Sequence, residues 1–222
     1  MCIRDRERKG VIFSKLFQLV LLRKQVPVGF GHSYIVPVPK SSMCCTKVMT
    51  CEDFRGIAIS PIISKLFEYC FIEKFGDFLH TDCKQFGFKK GMGCNHAVYT
   101  VRQVVERFIK GGNTVNLCAL DLSKAFDKVN HHALLIKLIK RNLPIDLLDI
   151  LENWLKSCFS SVKWFHVFSD IFVIKFGVRQ GSVLSPFLFA VYLDDLPTVR
   201  SLIHRSFVVL YADDILCCAI RR

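Results

Sequence analysis

The stretch "YLDDLPTVRSLIHRSFVVLYADDIL", Tyr192–Leu216, carries one pattern twice: Tyr192-Leu193-Asp194-Asp195 and Tyr211-Ala212-Asp213-Asp214. Two adjacent carboxylates behind a tyrosine can ligate a hard cation, and the same letters can end a helix or form a turn. The flanks separate the copies. Upstream of Asp194 lies "SPFLFAV", apolar on several faces and of helical length. Asp194 and Asp195 therefore fall at a helix C-terminus, where the dipole disfavours anions, and are expected to terminate the helix and face solvent. Asp213 and Asp214 are flanked instead by the strand-like runs "FVVL" and "ILCCA", which predicts a tight hairpin with the acids in its turn. A metal is assigned to the second copy.

Working outward, "TVNLCALDLS" (114–123) is β-branched and apolar and reads as a buried strand closing on Asp121. If that strand neighbours the hairpin in one sheet, Asp121, Asp213 and Asp214 converge at one edge. Converging carboxylates repel unless a cation neutralises them. Oxygen ligands at an open site suit Mg²⁺, with Mn²⁺ as an alternative. Two such ions about 3.5–4 Å apart can hold the attacking and leaving oxygens of a phosphoryl transfer. Any one of these aspartates, taken alone, reads as a turn former or cap.

The remaining elements alternate between helical and strand patterns. "SYIVPVPK" (33–40) contains two prolines and reads as an edge strand entering a polar, thiol-rich loop. Ser60-Pro61 predicts a helix start with Ser60 as N-cap, followed by Ile62, Ile63, Leu66, Phe67, Cys70, Phe71 and Phe75 at helical spacing. "QFGFKKGMG" (85–93) is a Gly- and Lys-rich loop, and a helix over about 95–110 ends at Gly111-Gly112. Helices at about 131–142 and 145–157 are split by Pro144, with His131 and His132 as cap or packing residues. "VKWFHVF" and "IFVIKFGV" read as a strand pair, and the other Cys and Phe residues as core.

A chain of 222 residues, 51% hydrophobic with 20 Phe, is long enough to bury a core and too apolar to be disordered. Its formal net charge of +12 favours a polyanionic partner, nucleic acid or an anionic membrane, although a basic soluble protein has the same balance. The 11 Cys show no C-x-x-C spacing; Cys44-Cys45 and Cys217-Cys218 are vicinal pairs, and free thiols in a reducing compartment are expected. No apolar run has the length of a membrane span and no secretory signal is evident, so an intracellular protein is expected, nuclear or cytoplasmic being open. The charged start "MCIRDRERKG" differs in character from the apolar "VIFSKLFQLVLL" after it, and residues 1–29 are read as partly foreign or fragmentary.

Collectively the motifs resemble those of reverse transcriptases, specifically of non-LTR (LINE-type) retrotransposons. "LDLSKAFDKVNHHALL", "GVRQGSVLSPFLFAVYLDDL" and "LYADDIL" are similar to successive palm motifs, and "IVPVPK", "DFRGIAISPIISKLFEYCFIEKF" and "QFGFKKGMGCNHAV" to fingers motifs. Six ordered motifs over roughly residues 30–219 are far more specific than a lone Tyr-Ala-Asp-Asp. The resemblance implies an α+β right-hand polymerase with fingers (30–112) and palm (113–222), an antiparallel palm sheet with packed helices, and no thumb. It implies RNA-templated DNA synthesis from dNTPs on a DNA primer. Asp121, Asp213 and the Leu122 backbone carbonyl would then hold two Mg²⁺ ions, with Asp214 as the third acid.

Other residues acquire roles from the same resemblance. Phe126 would lie under the incoming sugar, leaving no room for a 2′-OH; its bland reading is a core phenylalanine. Gln180 would touch the incoming nucleotide. Gly181 would let the backbone approach the template pair, or is simply a turn glycine. Arg55, and more weakly Lys40, would bind the triphosphate, a guanidinium being suited to phosphate oxygens. Lys89 and Lys90 would face the template backbone, and Tyr211 the template–primer duplex.

The chain departs from the pattern in ending at Arg222, soon after Asp214, and in a compressed "SSVKWFHVFSDIF" linker. A fragment or decayed copy is the expectation. A non-catalytic remnant that only binds nucleic acid is the alternative. An RNA-templated RNA polymerase shares the palm, but Phe126 and Ala212 speak against it, and the fingers stretch is unlike an intron maturase.

Overall fold

The computed structural model describes residues 3–40, 49–196 and 206–221. The elements in chain order are α1 (Ile3–Arg23), the single turn α2 (Val28–Gly31), β1 (His32–Pro39), β2 (Phe54–Ile59), α3 (Ile62–Phe75), α4 (Cys94–Lys110) and β3 (Thr114–Asp121). They continue with α5 (His131–Lys140), α6 (Ile145–Lys156), β4 (Phe159–Trp164), β5 (Val167–Phe168), β6 (Phe172–Val173), α7 (Ser185–Leu193), β7 (Ser206–Tyr211) and β8 (Asp214–Arg221). The architecture is α+β with two sheets. One has the order β2-β1-β4-β5, with β6 also on β4; the other is β3-β8-β7, antiparallel throughout. Among the described residues no helix is long and apolar enough to cross a membrane.

The core forms where helical periodicity supplies it. Leu147, Ile150, Leu151 and Trp154 recur at the i, i+3, i+4, i+7 spacing of one helix face and are all buried on α6. Asn130 caps α5 by accepting from Ala133 N at 3.0 Å, and Pro144 precedes the first residue of α6. An aromatic group joins distant parts of the chain: Phe67 lies 5.1 Å from Phe17, 5.9 Å from Phe30 and 5.7 Å from Trp154 between ring centroids. Residues 1–29, read as partly foreign, thus contribute Phe17, Val20 and Val26 to the main core.

Several expectations need correction. β1 is not an edge strand, because β4 pairs with it in parallel on the side away from β2. That pairing covers only His32–Ile35, so Pro37 and Pro39 lie beyond it and their missing N–H groups interrupt no bond to β4. The α3 N-cap is Pro61 rather than Ser60; Pro61 O accepts from Lys65 N at 3.2 Å and from Ser64 Oγ at 2.8 Å. The buried stripe of α3 is also rotated, to Ser64, Phe67, Glu68 and Phe71, leaving Ile62 85% exposed and Cys70 at the surface. β3 is exposed along most of its length; β8 is the central strand, and of the two outer strands it is β7 that is buried, with the 84–87 segment bridged onto it and Val208 and Leu210 in the main core. Cys51, Cys83, Cys94 and Cys118 are exposed, as are Phe165, Phe168, Phe172 and Phe176 around the β4–β5 hairpin, so these are not core. Cys44 and Cys45 lie outside the described residues.

The first Tyr-x-Asp-Asp copy ends α7, as its flanks predict, but Asp194 does not face solvent. Its carboxylate accepts from Asp82 N at 2.6 Å and pairs with the Arg141 guanidinium. Lys137 reaches the Tyr192 carbonyl and Asp195. Two cations, from α5 and the residue just after it, therefore answer the unfavourable dipole at the end of α7. The Arg141 and Asp194 side chains are only 23% and 17% exposed. Arg141→Ala is expected to lower the unfolding free energy by about 2 kcal/mol, below the range for a fully buried pair because some solvent remains. Urea titration of both proteins checks this, and an unchanged midpoint would show the pair to be dispensable.

Candidate active site

The second copy forms the hairpin its flanks predict. Tyr211 pairs with Asp214 across a two-residue turn of Ala212 and Asp213, with Ala212 at φ 55°. On the other side of β8, Asp121 pairs directly with Asp214. Directly opposed residues of antiparallel strands project from the same face, so Asp121 and Asp214 share one face at one end of the sheet. That face is turned toward α4, where Asp121, Tyr211 and Asp214 border an apolar groove of about 410 Å³ with Ala97 and Val101. The opposite face is closed by Val208, Leu210, Ile215 and Cys217 in the main core.

The hairpin is held from below by the 84–87 segment. Phe86 N donates to Leu210 O at 2.8 Å and Leu210 N to Lys84 O at 2.9 Å, a parallel bridge onto β7. Gly87 then passes so close to the turn that a side-chain carbon on it would overlap the Ala212 backbone. Gln85 is wholly buried; its Oε1 accepts from Gly87 N at 2.9 Å, while Nε2 has no partner among the described residues.

A second group of residues surrounds the strap at 177–184. Phe126 stacks on Phe189 at 4.5 Å with 14° between ring planes and meets Phe88 edge-on at 5.9 Å. The strap binds back to this turn through Val178 N to Phe126 O at 2.8 Å and Gly177 N to Val129 O at 2.8 Å. His131 packs here, its Nε2 lying 2.7 Å from the Gly177 carbonyl. Gln180 O accepts from Ala58 N at 2.6 Å on β2. Gly181, at φ 111°, abuts the Ala58 carbonyl, where any side chain would collide. Its glycine is thus required by the packing of strap on β2. Gln180, Gly56 and Asp127 line a cavity of about 370 Å³. Partial burial raises the Asp127 carboxyl above its ordinary pKa, against the opposing pull of Lys124.

The basic candidates divide. Arg55, on β2, is exposed and has no ion pair among the described residues; Lys40 and Lys90 are exposed as well. Lys89 is not free to face a template, because its ammonium donates to the Thr81 and Asp82 carbonyls. Lys124, three residues after Asp121, reaches Glu52 at 3.8 Å and brings the end of β3 toward the start of β2, where Arg55 lies. Leu122, directly after Asp121, is partly buried and packs its side chain against the main core.

The structure therefore gathers Asp121, Tyr211, Asp213 and Asp214 at one sheet edge and Phe126, Gln180 and Gly181 around the strap. Among the described residues no hydrogen bond or ion pair joins the two groups. Nor do any three carboxylate, imidazole or thiol groups there form a ready metal cage. The donor chemistry at the edge is nonetheless all oxygen, which fits Mg²⁺ held by one or two carboxylates with water and phosphate completing the shell. Missing from the sequence reading were Glu68, Gln85 and Arg179, whose guanidinium donates to Phe30 O at 3.2 Å. Glu68 had a signal: a charge inside the apolar periodicity of α3.

Residues 38–221 match the family described as reverse transcriptase (RNA-dependent DNA polymerase). The chain is 32% identical over 170 residues to a probable RNA-directed DNA polymerase from transposon X-element of Drosophila melanogaster, covering 73% of this chain and 18% of that protein. It is 27% identical over 217 residues to the RNA-directed DNA polymerase from mobile element jockey of the same species, covering 90% and 22%. The Pol polyprotein from type-2 retrotransposable element R2DM is 26% identical over 191 residues, covering 86% and 18%. The chain thus spans about a fifth of the length of these relatives. Among solved structures, apo telomerase from Candida tropicalis truncated from its C-terminal domain superposes with a TM-score of 0.61 at 14% identity, over 94% of this chain and 49% of that one. Telomerase from the same organism in complex with a fragment of telomeric RNA gives 0.58 at 12% identity, over 88% and 37%. These likenesses show a shared fold, the α+β fingers and palm, and the sequence match over most of the chain places the protein in the reverse transcriptase family, among the polymerase domains of non-LTR retrotransposons.

Proposed function

We propose that this domain carries out RNA-templated DNA synthesis, adding dNTPs to a DNA primer 3′-OH, as part of a longer retrotransposon polyprotein. The observation that carries the reading is the register Asp121↔Asp214 with Asp213 in the adjoining turn. In this reading residues 30–112 act as fingers and 113–222 as palm. Asp121, Asp213 and the Leu122 carbonyl would hold divalent ions, Mg²⁺ or Mn²⁺, which neutralise phosphate charge and favour the ionised primer hydroxyl. The chain's own residues supply position and charge. Asp214 adds a third carboxylate beside Asp121. Arg55, exposed and unpaired among the described residues, supplies a planar cation for the triphosphate, with Lys40 at the neighbouring strand end. Gln180 orients the nucleotide from the strap. The Phe126 ring, fixed by its stack on Phe189, bounds the sugar side and excludes a 2′-OH. Tyr211 and Lys90 contact template–primer, and the +12 charge strengthens RNA and DNA binding in a salt-sensitive way.

The test is extension of a DNA primer on an RNA template with Mg²⁺ and dNTPs. Extension that stops on chelation and fails with rNTPs is expected. Template binding without any extension would instead identify a nucleic-acid-binding remnant, and equal use of rNTPs would move the reading to an RNA polymerase.

A further inference from the structure

Glu68 stands in the middle of the buried face of α3, with none of its surface exposed, and nothing in the proposed chemistry uses it. Its Oε2 accepts from Ser182 Oγ at 2.6 Å and from Leu184 N at 2.8 Å, more than a hundred positions away in sequence. Its Oε1 is buried without a hydrogen-bond partner among the described residues. A buried carboxylate is costly unless it is well bonded, and Phe67 and Phe71 show that apolar side chains suffice to pack this helix face. The carboxylate is explained by what it grips. Leu184 immediately precedes α7, so the anion sits where helix N–H groups lack internal partners and the dipole is favourable.

The strap is anchored upstream by the Phe126 and Val129 carbonyls and by Arg179 on Phe30. Downstream of Gly181, Glu68 anchors the strap through Ser182 and Leu184. Gln180 lies between them, bound through its carbonyl to Ala58. We propose that Glu68 is a positioning residue for the incoming nucleotide: it fixes the downstream end of the strap, and so the place of Gln180, without touching a reactant. This rests on the polymerase reading of Gln180 above.

The 222-residue chain and its Glu68→Ala and Glu68→Gln variants test it. Glu68→Ala is expected to raise the dNTP KM about 10-fold while kcat changes less than about 2-fold, from loss of charge-assisted hydrogen bonds. Glu68→Gln, which keeps an acceptor oxygen, should return KM to within about 3-fold of the parent. Amide exchange should show protection lost at Ser182 and Leu184 but kept in β7 and β8. An unchanged KM in Glu68→Ala overturns the proposal. So does loss of protection throughout the core, which would make Glu68 an ordinary packing residue. If the parent chain itself fails to extend a primer, the polymerase reading falls and the nucleotide role with it; the exchange data then report separately whether Glu68 holds the strap.

Discussion

Asp213→Asn is expected to reduce metal-dependent primer extension by at least about 10³-fold, equivalent to roughly 4 kcal/mol of transition-state stabilisation. An amide keeps the size of the side chain and removes the charge that would balance the cation. The turn itself depends on the Tyr211↔Asp214 pair and on the positive φ of Ala212, neither of which uses the Asp213 charge. The unfolding midpoint should therefore move by less than the equivalent of about 1 kcal/mol. Asp194→Asn provides the contrast. It weakens the pairing with Arg141, so it should lower stability while extension per folded molecule stays metal-dependent. Equal extension by the parent and Asp213→Asn would remove the hairpin from the chemistry.

Gly87→Ala is expected to cost about 3 kcal/mol of stability and to displace the hairpin turn. The φ of Gly87 is not in the left-handed region, so the cost comes from space alone. The added methyl meets the Ala212 backbone rather than a side chain that could swing aside. Either the 84–87 segment lifts off Leu210 or the turn carrying Asp213 moves. In both cases extension should fall more than the loss of folded protein explains, measured by activity against circular dichroism at low temperature. A variant as stable and active as the parent would show that the close approach has slack.

Much of this was legible in the sequence because it depended on local chemistry. Strand-like runs on both sides of Tyr211–Asp214 made a hairpin, and a helical run before Asp194 made a helix end; both formed. The pairing of Asp121 with the hairpin came from one assumption about neighbouring strands. What was not legible depended on which segments became neighbours. Lys89 looked free for a template because nothing local marks the Thr81 and Asp82 carbonyls as its partners. Asp194 looked solvated because Arg141 comes from a distant part of the chain. Gly181 looked poised for a template pair, whereas its close contact is with Ala58. β3 looked buried because its composition is that of a central strand, yet it lies at the outside of its sheet.

The position of β3 has a practical meaning. Among the described residues no strand pairs with the side of β3 away from β8; the run "TVNLCALD" has neither proline nor lysine to discourage a second strand, and its Leu117 and Leu120 are exposed. Such a rim is a template for intermolecular pairing. Self-association through the strand that delivers Asp121 is therefore the expected result as concentration rises, and light scattering across a dilution series checks it.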